Sequence, residues 1–321
     1  MFLRLLLLTI IVTVGWFPGV SYSQQMRVSY SGVSGQNLPF WVTYEAGLYK
    51  KYGLNAEMVL IAGGLTNIQA LLANEIAFTY LGGASPIQAT LQGADVVILA
   101  TAYGLMPYGL IAGKNMHSAE ELKGKRIAVS RIGGIEETAA RVALDRLGVG
   151  ARNVSFLQAG PDPVRIAAIE SGVAQATMLA PPGLFTATAR SLNLLADLGS
   201  LKIKYPTSVI VARRLYLTKD RPVAKKYLMA MVEGLQLYRQ NKNFAVQVLL
   251  KYTKQASPEI LSQTYDYFAK NTPVMPLTDP DAIQAALASD KPSNRKAEDF
   301  YDNSILEDLA REGFMKTIIN K

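Results

Sequence analysis

Four stretches put small residues where a strand-like run gives way to a helix-like one. They are Ser31-Gly32 in VSYSGVSGQNLPFWV, Gly83-Ala84-Ser85 in AFTYLGGASPIQATLQ, Gly133-Gly134 in AVSRIGGIEETAARVAL and Pro181-Pro182 in TMLAPPGLFTATARS. A helix start carries unpaired backbone N–H groups and the positive end of the helix dipole. An anion or other strong acceptor binds there if it can come close. Side chains beyond Cβ obstruct the approach, so Gly, Ser and Ala suit such turns. Each turn alone is also explained as a tight connection. Four in corresponding places fit the mouth of a cleft.

Other residues near these turns could add contacts. Arg131, just before Gly133-Gly134, could fork onto a carboxylate or sulfonate, or pair with Glu136 or Glu137. Those glutamates suit the first turn of a helix, but they oppose an anion there; facing a cleft, they would favour a cationic or amine group. Tyr103 and Phe40 follow the strand-end logic as aromatic contacts, with Tyr108 and Trp41 as further wall candidates. Asn37 reads as a helix cap or a ligand contact. The single histidine, His117, sits in a polar segment beside the capping box Ser118–Glu121. With no cysteine there is no thiolate nucleophile, thiolate metal site or disulfide framework. No metal-ligand cluster, P-loop or dinucleotide fingerprint is spelled out. The expectation is a binding protein with no cofactor and no metal, not an enzyme.

The elements that must position these residues alternate. MRVSY, NAEMVLIAGG, IAFTYLGG and DVVILATAY read as strands with helices between them, and residues 114–200 hold a second alternating set. That order implies mostly parallel sheets covered on both faces. GLMPYGLIAGKNM and YPTSVIVARRLY read as an outward and a return crossing between two lobes, and the chain after the second is almost wholly helical. Two crossings make a hinge. At 321 residues, 50% hydrophobic and 18% charged, the chain is long enough for two cores and is not disordered. Residues 1–23 carry one cation, Arg4, and an apolar run from Leu5 to Val14, the pattern of a cleaved secretory signal peptide. Loss of Arg4 takes the net charge from +8 to +7. Basic residues form short clusters without interleaved aromatics, so no nucleic-acid groove is expected.

The chain resembles the solute-binding proteins of ABC importers, in the nitrate/sulfonate/taurine group that also holds binders of thiamine-pyrimidine precursors. The resemblance rests on NLPFWVTYEAGLYKKYGLNAEMV, ALLANEIAFTYLGGASPIQATLQGADVVILA, SAEELKGKRIAVSRIGG and DNSILEDLAREGF. It implies a type II periplasmic binding protein fold, α/β, each lobe a mixed or mostly parallel sheet flanked by helices, with two hinge crossings. The expected lobes are 26–107 plus 208–321, and 108–207. It further implies ligand contacts at Ser31, Gly32, Asn37, Leu38, Phe40, Gly83, Ala84, Ser85 and Tyr103 from the first lobe, and at Arg131, Gly133, Gly134, Thr138, Pro181 and Pro182 from the second. The implied ligand is a small anion of sulfonate, taurine or nitrate type. A pyrimidine or thiamine precursor, an aromatic carboxylate, or a sensing role stand as alternatives. The implied setting is a periplasmic monomer that docks transiently on an ABC permease.

Overall fold

The computed structural model describes residues 25–255, 257–288 and 294–319; the expected signal peptide lies outside them. Among the described residues ten strands form: β1 (Met26–Tyr30), β2 (Ala56–Leu60), β3 (Phe78–Leu81), β4 (Val96–Leu105), β5 (Gly109–Ala112), β6 (Arg126–Val129), β7 (Ser155–Gln158), β8 (Ala176–Leu179), β9 (Asn193–Asp197) and β10 (Lys204–Arg213). They form two five-stranded sheets, ordered β2-β1-β3-β10-β4 and β7-β6-β8-β5-β9. In the first, β1 runs parallel to β2 and β3, and β10 is antiparallel to both β3 and β4. In the second, β6 runs parallel to β7 and β8, while β5 is antiparallel to β8 and β9. Each lobe is therefore sealed by a strand that arrives from the other.

The two crossings are paired with each other. Met106 N donates to Ile203 O at 3.0 Å, and Leu198 N donates to Tyr108 O at 2.9 Å. Between Lys204 and Val211 the β10–β4 register shifts three times. Such irregularities bend a ladder and increase its twist.

Helices cover the sheets because their apolar stripes need burial. The sequence places Val223, Tyr227, Met231, Leu235 and Tyr238 at helical spacing, and the helix Arg221–Gln240 buries all of them but the half-buried Val223. It crosses the helix Leu38–Glu45 at Gly234, where a methyl group would sit 2.8 Å from Thr43 Cβ. Phe78 and Tyr227 stack at 4.0 Å, and Trp41 stacks on Tyr252 at 4.6 Å.

Three details depart from the sequence reading. The apolar spacing of Phe40, Tyr44 and Leu48 in LPFWVTYEAGLYKKYG predicts one helix stopped at Gly53; it is cut at Gly47, whose φ of +67° is left-handed, into Leu38–Glu45 and Leu48–Lys51. NLLAD, not read as a strand, is β9 at the edge of the second sheet. SILEDLAREGF reads as a last helix ending at Gly313, but a further helix, Phe314–Ile319, follows it.

Candidate functional site

The loop after β1 reaches the other lobe. Gly63 N donates to Ser31 O at 3.1 Å, and Asn37 Nδ2 donates to Gly32 O, so the loop is braced from within. Asn37 stands at the cap position, but its side chain makes no cap bond. Below, Ser29, Thr79 and Asn67 share a buried polar network, and Asn67 Nδ2 donates to Ile61 O and Gly63 O at 2.6 and 2.7 Å. Gly35 N then donates to Pro181 O of the second lobe at 3.1 Å. A methyl group on Gly35 would lie 2.6 Å from Thr264 Cγ2 and 2.8 Å from Pro181 O, so glycine is required for this approach.

Further contacts hold the lobes together on that flank. Gln255 Nε2 donates to Thr186 Oγ1 at 2.9 Å, and the rings of Phe185 and Tyr267 meet edge-on at 6.1 Å. Tyr103 packs edge-on against Phe268 at 5.1 Å, and burial pushes its hydroxyl up to about 12. On the other flank, the Arg131 guanidinium lies over Gly63, whose φ is +91°; a Cβ there would be 3.0 Å from its central carbon. Arg131 makes no ion pair with Glu136 or Glu137.

The expected residues have different fates. Leu38 and Phe40 belong to the first lobe's core, with Phe40 stacked on Tyr80 at 5.3 Å. Gly83 serves packing: its N donates to Pro206 O at 2.8 Å, and a methyl group would come within 2.7 Å of the Pro206 ring. Ser85 packs on Gly64 inside the same lobe. Ala84, Gly133 and Thr138 do meet across the lobes, lining a cavity of about 150 Å³ with Gln88, Glu137 and Arg141. The helix start at Gly133-Gly134 is already capped by its own chain. Glu137 accepts from Gly133 N at 2.7 Å and pairs with Arg141; Glu136 accepts from Ser130 Oγ at 2.6 Å. These carboxylates oppose an anion at that helix start. Pro181 takes part through its carbonyl, and Pro182 leads into the helix Gly183–Ala189.

Between the two flanks lies a polar cluster that the sequence reading did not assemble. Arg165 is 2% exposed. It donates to Met178 O at 2.6 Å and to Thr177 Oγ1 at 3.3 Å, pairs with Asp162, and stands 4.0 Å from Glu136. A buried guanidinium demands such partners. Asp162 packs against Gly183, where a Cβ would be 2.9 Å from its carboxyl carbon. A third of the Asp162 side chain, 34%, is reached by solvent. Protein nonetheless surrounds it closely enough that burial, opposed by Arg165 and reinforced by Glu136, raises its carboxyl above the usual range. Tyr108, buried, faces Glu136, Arg165, Asp162 and the first lobe's Gln36; burial and then Glu136 push its hydroxyl well up. Gln36 is fixed by Tyr80, whose hydroxyl donates to Gln36 O at 3.0 Å. Two buried polar atoms in this cluster, Gln36 Oε1 and Arg165 Nε, have no hydrogen-bond partner among the described residues. The local signal for Asp162 and Arg165 was their i, i+3 spacing on one helix. Nothing local marks Gln36 or Gly35.

His117 is exposed beside β9, its Nδ1 3.3 Å from Asn193 Nδ2, and Glu121 accepts from Ser118 N at 2.9 Å as the capping box requires. Among the described residues no group of three or more His, Asp or Glu side chains could hold a metal ion.

Two sheets of this strand order, each completed by a strand from the other lobe and closed over a shared cleft, define the type II periplasmic binding protein fold. The chain belongs to the NMT1/THI5-like family, whose model matches residues 35–244. A protein of Brucella abortus (strain 2308), provisionally named a binding protein, is 27% identical over 218 residues. That alignment takes in 66% of each chain, so this chain spans a little under two thirds of the curated relative's length. A solved structure from Bordetella bronchiseptica RB50 superposes with a TM-score of 0.77 at 16% identity, covering 90% of this chain and 98% of that one. The alkanesulfonate-binding protein SsuA from Xanthomonas axonopodis pv. citri, bound to MOPS, gives a TM-score of 0.68 at 19% identity, covering 83% and 90%. These structural likenesses are of fold.

Proposed function

We propose that this chain is the solute-binding component of an ABC-type import system. It is exported to the periplasm by its leader, closes on a small polar molecule between lobes 26–107 plus 208–321 and 108–207, and presents the closed form to a membrane permease. The observation that carries this reading is that polar groups of both lobes meet, Gln36 from one with Tyr108 from the other beside Glu136, Asp162 and Arg165, and Ala84 and Gln88 with Gly133, Glu137, Thr138 and Arg141 around a cavity of about 150 Å³. A ligand touching both sides stabilises the closed arrangement by its differential affinity for it. The paired crossings supply the hinge, and the Brucella and Xanthomonas relatives carry the names of binding proteins.

An anion of sulfonate or nitrate type is a second reading, favoured by one group. The exposed Arg131 guanidinium sits over Gly63 at the edge of the cleft.

The test is small-angle scattering with calorimetry on the chain from Gln24, against amines, amino-heterocycles, sulfonates, nitrate and carboxylates. At least one is expected to bind at micromolar strength or better, about −8 kcal/mol, and to reduce the radius of gyration. If none binds and none compacts the molecule, the reading fails.

A further inference from the structure

We infer that the two lobes are latched to each other by the helix Pro258–Ala269, whose Tyr267 hydroxyl seats in a notch at Gly199 of the other lobe, so that closure does not wait for a solute. The inference concerns how the lobes close and holds whichever solute the cleft takes.

The helix belongs to the first lobe. Leu261, Tyr265 and Phe268 are buried in that lobe's core, and Ser257 caps the helix by accepting from Ile260 N at 3.3 Å. Tyr267 leaves this anchored helix towards the second lobe. Its hydroxyl donates to Asp197 Oδ1 at 3.4 Å, and its ring meets the Phe185 ring edge-on at 6.1 Å. Asp197 ends β9 and is itself held, because it accepts from Gly199 N at 2.9 Å. A Cβ on Gly199 would overlap the Tyr267 hydroxyl and lie 2.8 Å from the ring carbon that bears it. Gly199 is not among the glycines with a positive φ. Backbone freedom therefore does not account for glycine there, whereas the close approach of the hydroxyl does. Burial and the Asp197 carboxylate both raise the Tyr267 hydroxyl, which keeps the proton it donates.

Two more contacts come from the same stretch of chain. Gln255 Nε2 donates to Thr186 Oγ1 at 2.9 Å, and Thr264 and Phe268 crowd Gly35, whose N–H is bonded to Pro181 O at 3.1 Å. Phe185 packs against the second lobe's own apolar cluster, so the receiving surface is as firmly held as the helix. None of these residues belongs to the polar group around Arg165. Contacts made in only one arrangement of two lobes favour that arrangement by their differential free energy, with or without a guest. Because one helix carries them, they form and break together.

The experiment is double electron–electron resonance on the ligand-free chain from Gln24. The chain has no cysteine, so nitroxide labels at Glu75→Cys and Arg152→Cys, exposed positions on different lobes, report the lobe spacing alone. The labelled parent is expected to give mainly the distance between these two sites in this structure. Gly199→Ala fills the notch and Tyr267→Ala removes what enters it. Each is expected to lower the ratio of closed to open molecules by about fivefold or more, the weight of one hydrogen bond. The double variant should open no further than the more open single one, because both changes undo the same contact. Gln263→Ala, exposed on the same helix, serves as the unchanged control, and the melting temperature of each variant reports folding. A parent that is mainly open, variants that keep the parent's distances, or two effects that multiply in the double variant would each overturn the inference. The import reading would stand in all three cases, since it needs only closure driven by a ligand.

Discussion

Gly32 and Gly83 look interchangeable in sequence, since each follows a strand and precedes a helix, yet the fold uses them differently. Gly32 has open space where a side chain would begin. Gly83 lies under Pro206, with its N–H bonded to the Pro206 carbonyl. Backbone cannot step aside as a flexible side chain can. Gly83→Ala is therefore expected to destabilise the fold by the cost of overpacking, about 1–3 kcal/mol, and to lower the melting temperature by several degrees. Gly32→Ala should stay within about 0.5 kcal/mol of the parent. Scanning calorimetry decides, and equal melting temperatures for the two variants would show that Gly83 is not a packing residue. The site itself was less legible. Ser31, Asn37, Tyr103 and Pro181 do lie on the loops and strand ends that meet near the cleft, because strand-to-helix turns gather at one edge of a parallel sheet. Gly35 and Gln36 carry no local signal. Their meaning comes from Pro181 and Tyr108, more than 70 residues away in the chain.

Among the elements, the strands and helices with strong periodicity were readable, because burial on one stripe or on both faces leaves a mark in every residue. The run VVILATAY becomes the fully buried part of β4, Val96 to Tyr103, for that reason. β9 escaped because it is an edge strand with a mixed pattern, in which Leu194 is exposed and Leu195 half-buried. The break at Gly47 escaped because one left-handed residue interrupts an otherwise continuous apolar pattern. Gly234 shows tertiary contact overruling propensity. Glycine in a helix interior costs about 1 kcal/mol relative to alanine, so Gly234→Ala would be stabilising on propensity alone. Here the added methyl would overlap Thr43 Oγ1 and lie 3.1 Å from Thr43 Cα. The Thr43 hydroxyl is engaged in donating to Pro39 O at 2.8 Å, which restricts its escape. Overpacking of about 1–3 kcal/mol outweighs the propensity gain. The variant is expected to melt below the parent by thermal unfolding; a higher melting temperature would mean that the two helices separate at little cost.

At the scale of the whole molecule, the pH dependence of stability separates charged groups held against burial from those held by pairing. Asp162 records this. Burial, with Glu136 nearby, raises its carboxyl despite the Arg165 guanidinium. A carboxylate whose value is higher in the folded than in the unfolded chain binds more protons when folded. Stability from that group is then present at low pH and declines as pH rises from the unfolded value, about 3.9, through the folded one. Glu45 behaves in the opposite sense. Burial opposes its ionisation, but Lys251 and Tyr252 more than offset that and lower it, so its contribution is present at neutral pH and is lost on acidification. The two senses separate in a difference measurement. Asp162→Asn removes the titration without changing the shape of the side chain. The ligand-free variant should gain stability relative to the parent as pH is raised from about 4 towards neutrality, measured as the difference in denaturant midpoints at each pH. A parent that instead gains on the variant over that range would mean that pairing with Arg165 dominates burial at Asp162. The cluster would then carry a satisfied ion pair.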